Sequence, residues 1–418
     1  MSTTPSRHGH SGKQRAFLLF NIVLAIVTVL AGSGLVYANW KLGNRQVVSI
    51  DPVALGDGNL DLPEGDRTAK NFLITGSDNN ACISKDSPFY GGFSNRAGYG
   101  ERSDSLMVVR VNPIDNQAAI LSFPRDMWVK QAGSNRSNRI NANFEKKNPN
   151  RLVRNIKENF GISIDHYINI DFCAFAAIVD AVGGVRVPFT YKAQDKMTGF
   201  KVLRARVCYT FQGDHALAYM RSRHYRLFDP KTMKWTRDGT SDWGRISRQQ
   251  DFMKRVIRKS LDKAKTNPRV ASGILNAALK NIITDDKLTP LTVLQLGQAM
   301  KNFNTETMGS YTMPGNGQLI DDMSVIVPDL ESATSKKILA VFQGKASLKT
   351  TISGATPADT PTVTTTTLAA LAVTTTVPKS SGTTAKPTQT STTTTVPKVA
   401  IEQNTRGVVP PNDSNCQY

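Results

Sequence analysis

Residues 16–38, AFLLFNIVLAIVTVLAGSGLVYA, run for 23 positions without a charge, and Asn21 is their only amide. A helix of about 20 apolar residues spans a bilayer core. The run therefore divides the chain into an inside, a membrane segment and an outside before any fold is considered. Arg7, Lys13 and Arg15 precede it and favour an inside N-terminus, while Lys41 and Arg45 follow and weaken the bias. Two readings stand. The length of the run favours an uncleaved signal anchor; Val36-Tyr37-Ala38 loosely resembles the small-residue site of a cleaved signal peptide. Under either reading the remainder is exported, and a single-pass cell-membrane protein with an extracellular domain is the expectation.

The other end changes character near residue 350. Residues 351–399 are dominated by Thr, Pro and Ser, a composition that buries too little apolar surface to offset ordering entropy. A stalk bearing sugars and a plain spacer fit this stretch equally well. The chain is thus expected to divide into a cytoplasmic N-terminus (1–15), a transmembrane helix (16–38), a linker (39–65), one folded domain (66–345) and a disordered Thr/Pro-rich tail (346–418). Four cysteines, at 82, 173, 208 and 416, form no C-x-x-C pair, which argues against structural zinc. Cys416 has three options: pairing with Cys82, joining another chain, or remaining free.

Within 66–345, the runs NFLITG (71–76), SLMVVRV (105–111) and AAILSF (118–123) read as buried strands, and GVRVPF as another. Residues 150–160 and 172–182 have helical spacing, with Gly183-Gly184 as a stop. Further helices are expected over DHALAYMRSR, over SRQQDFMKRVIRKSLDKAK and over 288–303. Alternating strands and helices give an α/β layered domain with a central sheet.

Charge narrows the function. The whole chain carries +19, and residues 201–260 hold ten Arg and five Lys against five Asp and no Glu. Such an excess calls for an anionic partner, and arginine forks onto phosphate oxygens better than lysine does. A solvated basic helix face is the plain alternative. The acidic side is placed differently. Asp78 follows one strand, Asp104 opens the next within Arg102-Ser103-Asp104, and Arg125-Asp126 follows Pro124 at the end of a third. Ligands of α/β sheets collect at such strand ends, and two carboxylates plus substrate phosphates are a common way to hold Mg²⁺. An exported cluster of this kind points to pyrophosphate chemistry. Nucleic-acid binding conflicts with export, and no helix-turn-helix pattern is visible. His166 is expected in a packed role, and His215 and His224 at the surface.

Seven stretches, in order, resemble the LytR-CpsA-Psr family of cell-wall glycopolymer transferases: NFLITGSD (71–78), ERSDSLMVVRVNP (101–113), LSFPRDMWV (121–129), RINANF (139–144), GISIDHYINIDFCAFAAIVDAVGGVRV (161–187), FQGDHALAYMRSRH (211–224) and SDWGRISRQQDF (241–252). The resemblance implies a single α/β/α domain with a central mixed sheet. It implies a polyprenyl-pyrophosphate-linked glycan as donor and a peptidoglycan hydroxyl as acceptor, at the membrane and without nucleic acid. By position, Asp78 and Asp104 match Mg²⁺-associated carboxylates. Arg102, Arg125, Arg221 and Arg223 match pyrophosphate-binding arginines, and Asp242, Arg245 and Gln249 the polar residues of the last motif. The last three share one helix face by spacing, with Gly244 expected to break the chain just before that helix. Catalysis is expected from Arg125, Arg221, Arg223 and Asp242, substrate binding from those arginines with Arg102, Arg245 and Gln249, and a pyrophosphatase side activity is possible. Asp242 and Asp126 both qualify as proton acceptor.

Asn80 departs from the family, which commonly carries arginine there. Two insertions, CISKDSPFYGGFSNRAGYGE and YRLFDPKTMKWTRDGT, are placed to shape acceptor choice. A noncatalytic wall-polymer-binding or regulatory protein, and the same chemistry with a surface-protein acceptor, are the alternatives.

Overall fold

Strands spaced as expected build the middle of a seven-stranded sheet. The structure is a computed structural model and describes residues 46–48, 69–77, 82–90, 103–145, 147–266, 282–288, 296, 299–300, 303–348 and 397–416. The elements up to the third helix are β1 (Gln46–Val48), β2 (Lys70–Ser77), β3 (Ser103–Asn112), β4 (Gln117–Phe123), β5 (Trp128–Lys130), β6 (Ser137–Arg139), α1 (Asn150–Phe160), β7 (His166–Asp171), α2 (Phe172–Ala181), β8 (Val185–Phe189), β9 (Ala193–Asp195), β10 (Phe200–Val202), β11 (Val207–Phe211) and α3 (Gly213–Met220). There follow β12 (Arg226–Asp229), β13 (Lys234–Arg237), α4 (Asp242–Thr266), β14 (Ile282–Asp285), β15 (Gly309–Thr312), β16 (Gly315–Ile320), β17 (Met323–Pro328), α5 (Ala333–Phe342), β18 (Ser347–Leu348) and β19 (Lys398–Val399).

The main sheet runs β1-β14-β7-β2-β3-β4-β15 and mixes parallel with antiparallel pairs. Successive side chains of a strand point to opposite faces, and the sequence uses this alternation to make two apolar layers. Leu73, Val108, Leu121 and Tyr167 pack with Leu152, Ile156 and Phe160 of α1 and Ile338 and Phe342 of α5. Phe72, Met107, Val109 and Ile120 face the other way, onto Met253, Ile257 and Leu261 of α4 and the buried Met300 and Phe303. Sheet between helices is the expected α/β/α arrangement with a central mixed sheet.

Local signals explain the ends of these helices. α1 stops at Gly161, whose φ of 66° is the left-handed conformation that glycine adopts without strain. Asp171 ends β7 and caps α2, accepting a hydrogen bond from Ala174 N. Between α2 and α4 a smaller unit is inserted: the pair β8–β11 and the four-stranded sheet β10-β9-β12-β13, around Phe189, Phe200, Phe211, Tyr219 and Phe252.

The structure corrects several expectations. Residues 46–48 of the expected linker form β1, parallel to β14. The tail expected to be disordered over 346–418 is structured at both ends. Its residues 347–348 pair with 398–399, and the segment from 397 returns to the domain because its side chains find partners there. Asn404 donates to and accepts from the Thr312 backbone, and Arg406 N–H donates to Ser247 Oγ. Cys416 pairs with Cys208, and Cys82 with Cys173. The second insertion is the β12–β13 hairpin. Gly244 sits inside the first turn of α4 rather than before it, where a Cβ would strike Thr240 Oγ1 and lie 2.6 Å from Asp238 Oδ2. His215 is buried rather than at the surface. Residues 16–38, most of 288–303 and residues 91–101 of the first insertion lie outside the described residues. Among the described residues no helix is long and apolar enough to cross a membrane.

Candidate functional site

One edge of the main sheet gathers the chemistry. Register places Ser77 opposite Ser103 and Asp171, Leu106 opposite Phe123, and Ser122 opposite Thr312. The ends of β2, β4, β7 and β15 and the start of β3 therefore share an edge. A register shift between Gly76 and Ser77 turns the chain there, and Gly76 lies close to Ser105, where a Cβ would be 3.2 Å from its Cβ. Asp104 is the second residue of β3, so its backbone is on this edge. Asp78 and Arg102, and the side chain of Asp104, lie outside the described residues.

α3 and α4 close over this edge. Arg221 caps the C-terminus of α3, and its guanidinium lies 5.1 Å from the centre of the Phe172 ring, at the start of α2. Arg223 follows on the same short link. Asp242, first residue of α4, holds Arg223 Nε and Arg245 Nη2, each 3.0 Å from the same oxygen, Oδ1. Arg245 is 2% exposed, whereas the Asp242 and Arg223 side chains are 22% and 24% exposed. One carboxylate thus joins a buried guanidinium to a reachable one. Two turns along, Gln249 Nε2 donates to the Met220 carbonyl (3.0 Å), and Gln249 Oε1 accepts from Ser105 Oγ (3.2 Å). Gln250 donates to Ser122 Oγ and to the Tyr311 carbonyl. These bonds fix α4 against β3, β4 and β15.

Arg125 begins the loop after β4. Its Nε is 3.4 Å from Asp126 Oδ2, and Arg139 Nε is 3.5 Å from Asp126 Oδ1. Two guanidiniums thus flank Asp126, as two flank Asp242. The structure brings Arg223, Asp242, Arg245 and Gln249 together, with Arg221 two residues from Arg223. It puts Arg125 and Asp126 on a separate loop at the same edge. His166 is packed, its Nδ1 3.2 Å from Asp285 Oδ1, and His224 is exposed.

The sequence reading missed the partner of this cluster. Arg248, fully buried, is 2.9 Å from Asp238 Oδ2, donates through Nη2 to the Ser222 carbonyl (2.8 Å) and stacks on Tyr225 at 4.3 Å. Ser222 lies between Arg221 and Arg223, so Arg248 anchors the link that carries both. Burial alone would raise the Asp238 pKa. Hydrogen bonds from Thr240 and Val408 N–H, with the Arg248 charge, hold it below the usual carboxylate range. The available signal was position: Arg248 is three residues past Arg245 and falls off the face shared by Asp242, Arg245 and Gln249.

The donor set expected for Mg²⁺, Asp78 and Asp104, is hard oxygen, the chemistry that Mg²⁺ prefers. The backbone of Asp104 lies at the register shift of the β2–β3 pair, between Ser103, which faces Ser77, and Ser105, which faces Gly76. Among the described residues no group of three or more His, Cys, Asp and Glu is placed to hold a metal ion.

Comparison with known proteins follows the same lines. The sequence matches the LytR_cpsA_psr family over residues 45–340. A polyisoprenyl-teichoic acid–peptidoglycan teichoic acid transferase, TagU of Halalkalibacterium halodurans, is 27% identical over 322 residues, 77% of this chain and 95% of that protein. The transferase TagV of Bacillus subtilis is 26% identical over 340 residues, 79% of this chain and 78% of its own. In fold the chain is similar to a LytR-Csp2A-Psr enzyme from Actinomyces oris, with a TM-score of 0.51 and 21% identity over 72% of this chain and 96% of that one. It is also similar in fold to TagT bound to LIIa-WTA, with a TM-score of 0.50 and 18% identity over 71% and 99%.

Proposed function

The chain belongs to the LytR-CpsA-Psr family, and from that premise we propose that it moves a glycosyl-phosphate from a polyprenyl-pyrophosphate-linked glycan to a hydroxyl of peptidoglycan at the outer face of the cell membrane. The observation that carries this reading is the Asp242-centred arginine cluster over the sheet edge, with Arg125 on the same edge. The relatives named as transferases of polyisoprenyl-linked teichoic acid to peptidoglycan support the same donor and acceptor classes.

A diphosphate diester carries two negative charges, and phosphoryl transfer needs positioning and charge stabilisation more than covalent help. Arg125, Arg221 and Arg223 bind the two phosphates, with Arg102 and Arg245 in support. Asp242 orients Arg223 and Arg245 by holding both on one oxygen, and Gln249 fixes the helix that carries them. The acceptor oxygen forms a bond to the glycan-bearing phosphorus. The bond from that phosphorus to the bridging oxygen breaks, polyprenyl phosphate leaves, and the hydroxyl proton is lost. Asp78 and Asp104 would hold Mg²⁺, which when bound would neutralise charge on the nonbridging oxygens. Water in place of the acceptor gives the pyrophosphatase side activity.

Position relative to the membrane supports the lipid donor. Gln46, the first residue of β1, pairs with Ile283, which pairs with Asn169, which pairs with Thr75. The chain thus enters the sheet at the site edge. Seven residues separate it from the apolar run, a reach of about 25 Å when extended.

The test is release of polyprenyl phosphate from a lipid-pyrophosphate glycan by the full chain. Arg125→Ala, Arg221→Ala and Asp104→Ala are each expected to abolish it, and chelation of divalent cations to suppress it. Unchanged turnover in all three variants would defeat the assignment. Salt-sensitive binding of wall polymer without any turnover would mark a noncatalytic binder instead.

A further inference from the structure

The inserted four-stranded sheet has an end that the transfer chemistry does not use. Its register fixes which residues meet there. Val202, Ala193, Leu227 and Thr236 form one row across β10, β9, β12 and β13. Leu203 and Arg204 leave β10 beyond that row, and Tyr191 and Lys192 enter β9 there. The turn of the β12–β13 hairpin, residues 230–233, closes the same end. The opposite end of the hairpin, where Asp238 N–H donates to the Tyr225 carbonyl, is the one attached to the Arg223 link. The free end therefore points away from the site along the hairpin.

This end is both apolar and basic. Met233 is 71%, Leu203 56% and Tyr191 39% exposed, and these are three of the six exposed large hydrophobic side chains among the described residues. Behind them Phe228 and Trp235 face each other across the hairpin with ring centres 5.5 Å apart, and Lys192 Nζ lies 5.1 Å from the Phe228 ring centre. Arg204, Arg206, Lys231 and Lys234 are exposed around them. The acids of this sheet answer only part of that charge, Asp229 through the neighbouring Lys231. Asp195 is buried on Ser222 and His224 N–H, and Asp229 accepts from Lys231 N–H and Thr232 within the turn.

Exposed apolar tips backed by Trp and rimmed by Lys and Arg match an interface between hydrocarbon and anionic headgroups. An anionic polymer would satisfy the cations but has nothing to offer Met233 and Leu203. In sequence, seven residues separate the apolar run from Gln46, which lies on the edge from which α2 and α4, the two helices flanking the inserted unit, both start. We propose that the Tyr191, Leu203 and Met233 end of this sheet docks on the surface of an anionic bilayer, as a second membrane contact besides the apolar run. This goes beyond the transfer reaction and does not need it to be correct.

The experiment is hydrogen–deuterium exchange of the full chain in nanodiscs, with phosphatidylglycerol or with phosphatidylcholine alone. Peptides covering 190–206 and 229–237 are expected to exchange several-fold more slowly in the anionic discs. Each Lys or Arg near such a surface contributes a factor of about five to partitioning, so Lys231→Gln/Lys234→Gln should return these peptides to their phosphatidylcholine rates. Met233→Asp should do the same, with peptides of β2 and β3 unchanged as a check on folding. Arg221→Ala, which removes a proposed site residue, should keep the protection, so failure of the transfer assignment and failure of docking are read separately. Equal exchange in both discs would overturn the inference. So would protection by an anionic wall polymer but not by lipid.

Discussion

Two arginine–aspartate pairs are anchored in the first two turns of α4, through Asp242 and Arg248, and differ in one respect. Arg223 and Asp242 are 3.0 Å apart and roughly a quarter exposed; Arg248 and Asp238 are 2.9 Å apart and 1% and 4% exposed. In the sealed pair the protein meets nearly every demand. Asp238 accepts from Thr240, Val408 N–H and Arg248, and Arg248 donates to Ser222 and Val408 carbonyls. In the open pair, one Asp242 oxygen aligns two guanidiniums and leaves a solvent-facing side for a ligand. Charge of one kind thus does two jobs. Buried and nearly fully bonded, it fixes the link carrying Arg221 and Arg223; half-open, it is the pair that the proposed function sets against an anion.

The largest effect should come from the sealed pair. Arg248→Met leaves Asp238 charged and buried, which costs about 3–5 kcal/mol, measured by urea unfolding of the full chain. Asp238→Leu/Arg248→Met removes both charges and should recover most of that loss. If the single variant cost less than about 1 kcal/mol, typical of an exposed pair, the contrast between the pairs would fail. The open pair comes next and should respond in turnover. Loss of one charge-stabilising donor costs about 10²–10³-fold, so Arg223→Ala is expected to lose that much transfer with little change in unfolding. Arg223→Lys should recover only part, since an ammonium lacks the fork.

The tail sharpens the contrast, because Val408 is part of the seal. Cys208→Ala/Cys416→Ala opens a covalent link spanning 208 residues of sequence and should cost about 2–4 kcal/mol. Turnover per folded molecule should hold. A matching fall in turnover would mean that the tail serves the open pair as well.

Legibility in the sequence follows the same division. Strands over 71–76, 105–111 and 118–123 came from short apolar runs bounded by Gly and Pro, legible because both faces of this sheet are buried, and helices over 150–160 and 172–182 came from helical spacing. The shared face of Asp242, Arg245 and Gln249 came from helical spacing. Spacing could not show that Arg248 turns inward, since its partners are Asp238 in a loop, Ser222 in a link and Val408 in a tail 160 residues on. Composition hid the tail: a Thr/Pro spacer reads as disorder to its end, while docking of 397–416 depends on single bonds such as Asn404 to Thr312. The Cys208–Cys416 pairing was closed to arithmetic for the same reason, as four cysteines allow three connectivities.

The smallest effect separates sealed groups by pH. His215 is packed against Phe89, with ring centres 4.6 Å apart, and Tyr209 Oη lies 2.9 Å from its Nδ1. Burial, with the Lys201 charge, pushes its pKa down to about 4. The folded state therefore holds His215 neutral, while the unfolded chain protonates it near its ordinary value of about 6.5. Its contribution is complete above about pH 6.5 and is lost as pH falls toward 4, amounting to about 3 kcal/mol. Asp238 behaves differently in timing: its folded pKa is lowered, so its contribution is whole above the ordinary carboxylate value of about 3.9 and fades only below it. Unfolding midpoints of the full chain should fall in two stages on acidification. His215→Phe should flatten the upper stage and leave the lower one. Were the upper stage to survive that substitution, the aromatic pocket around His215 would not be its source.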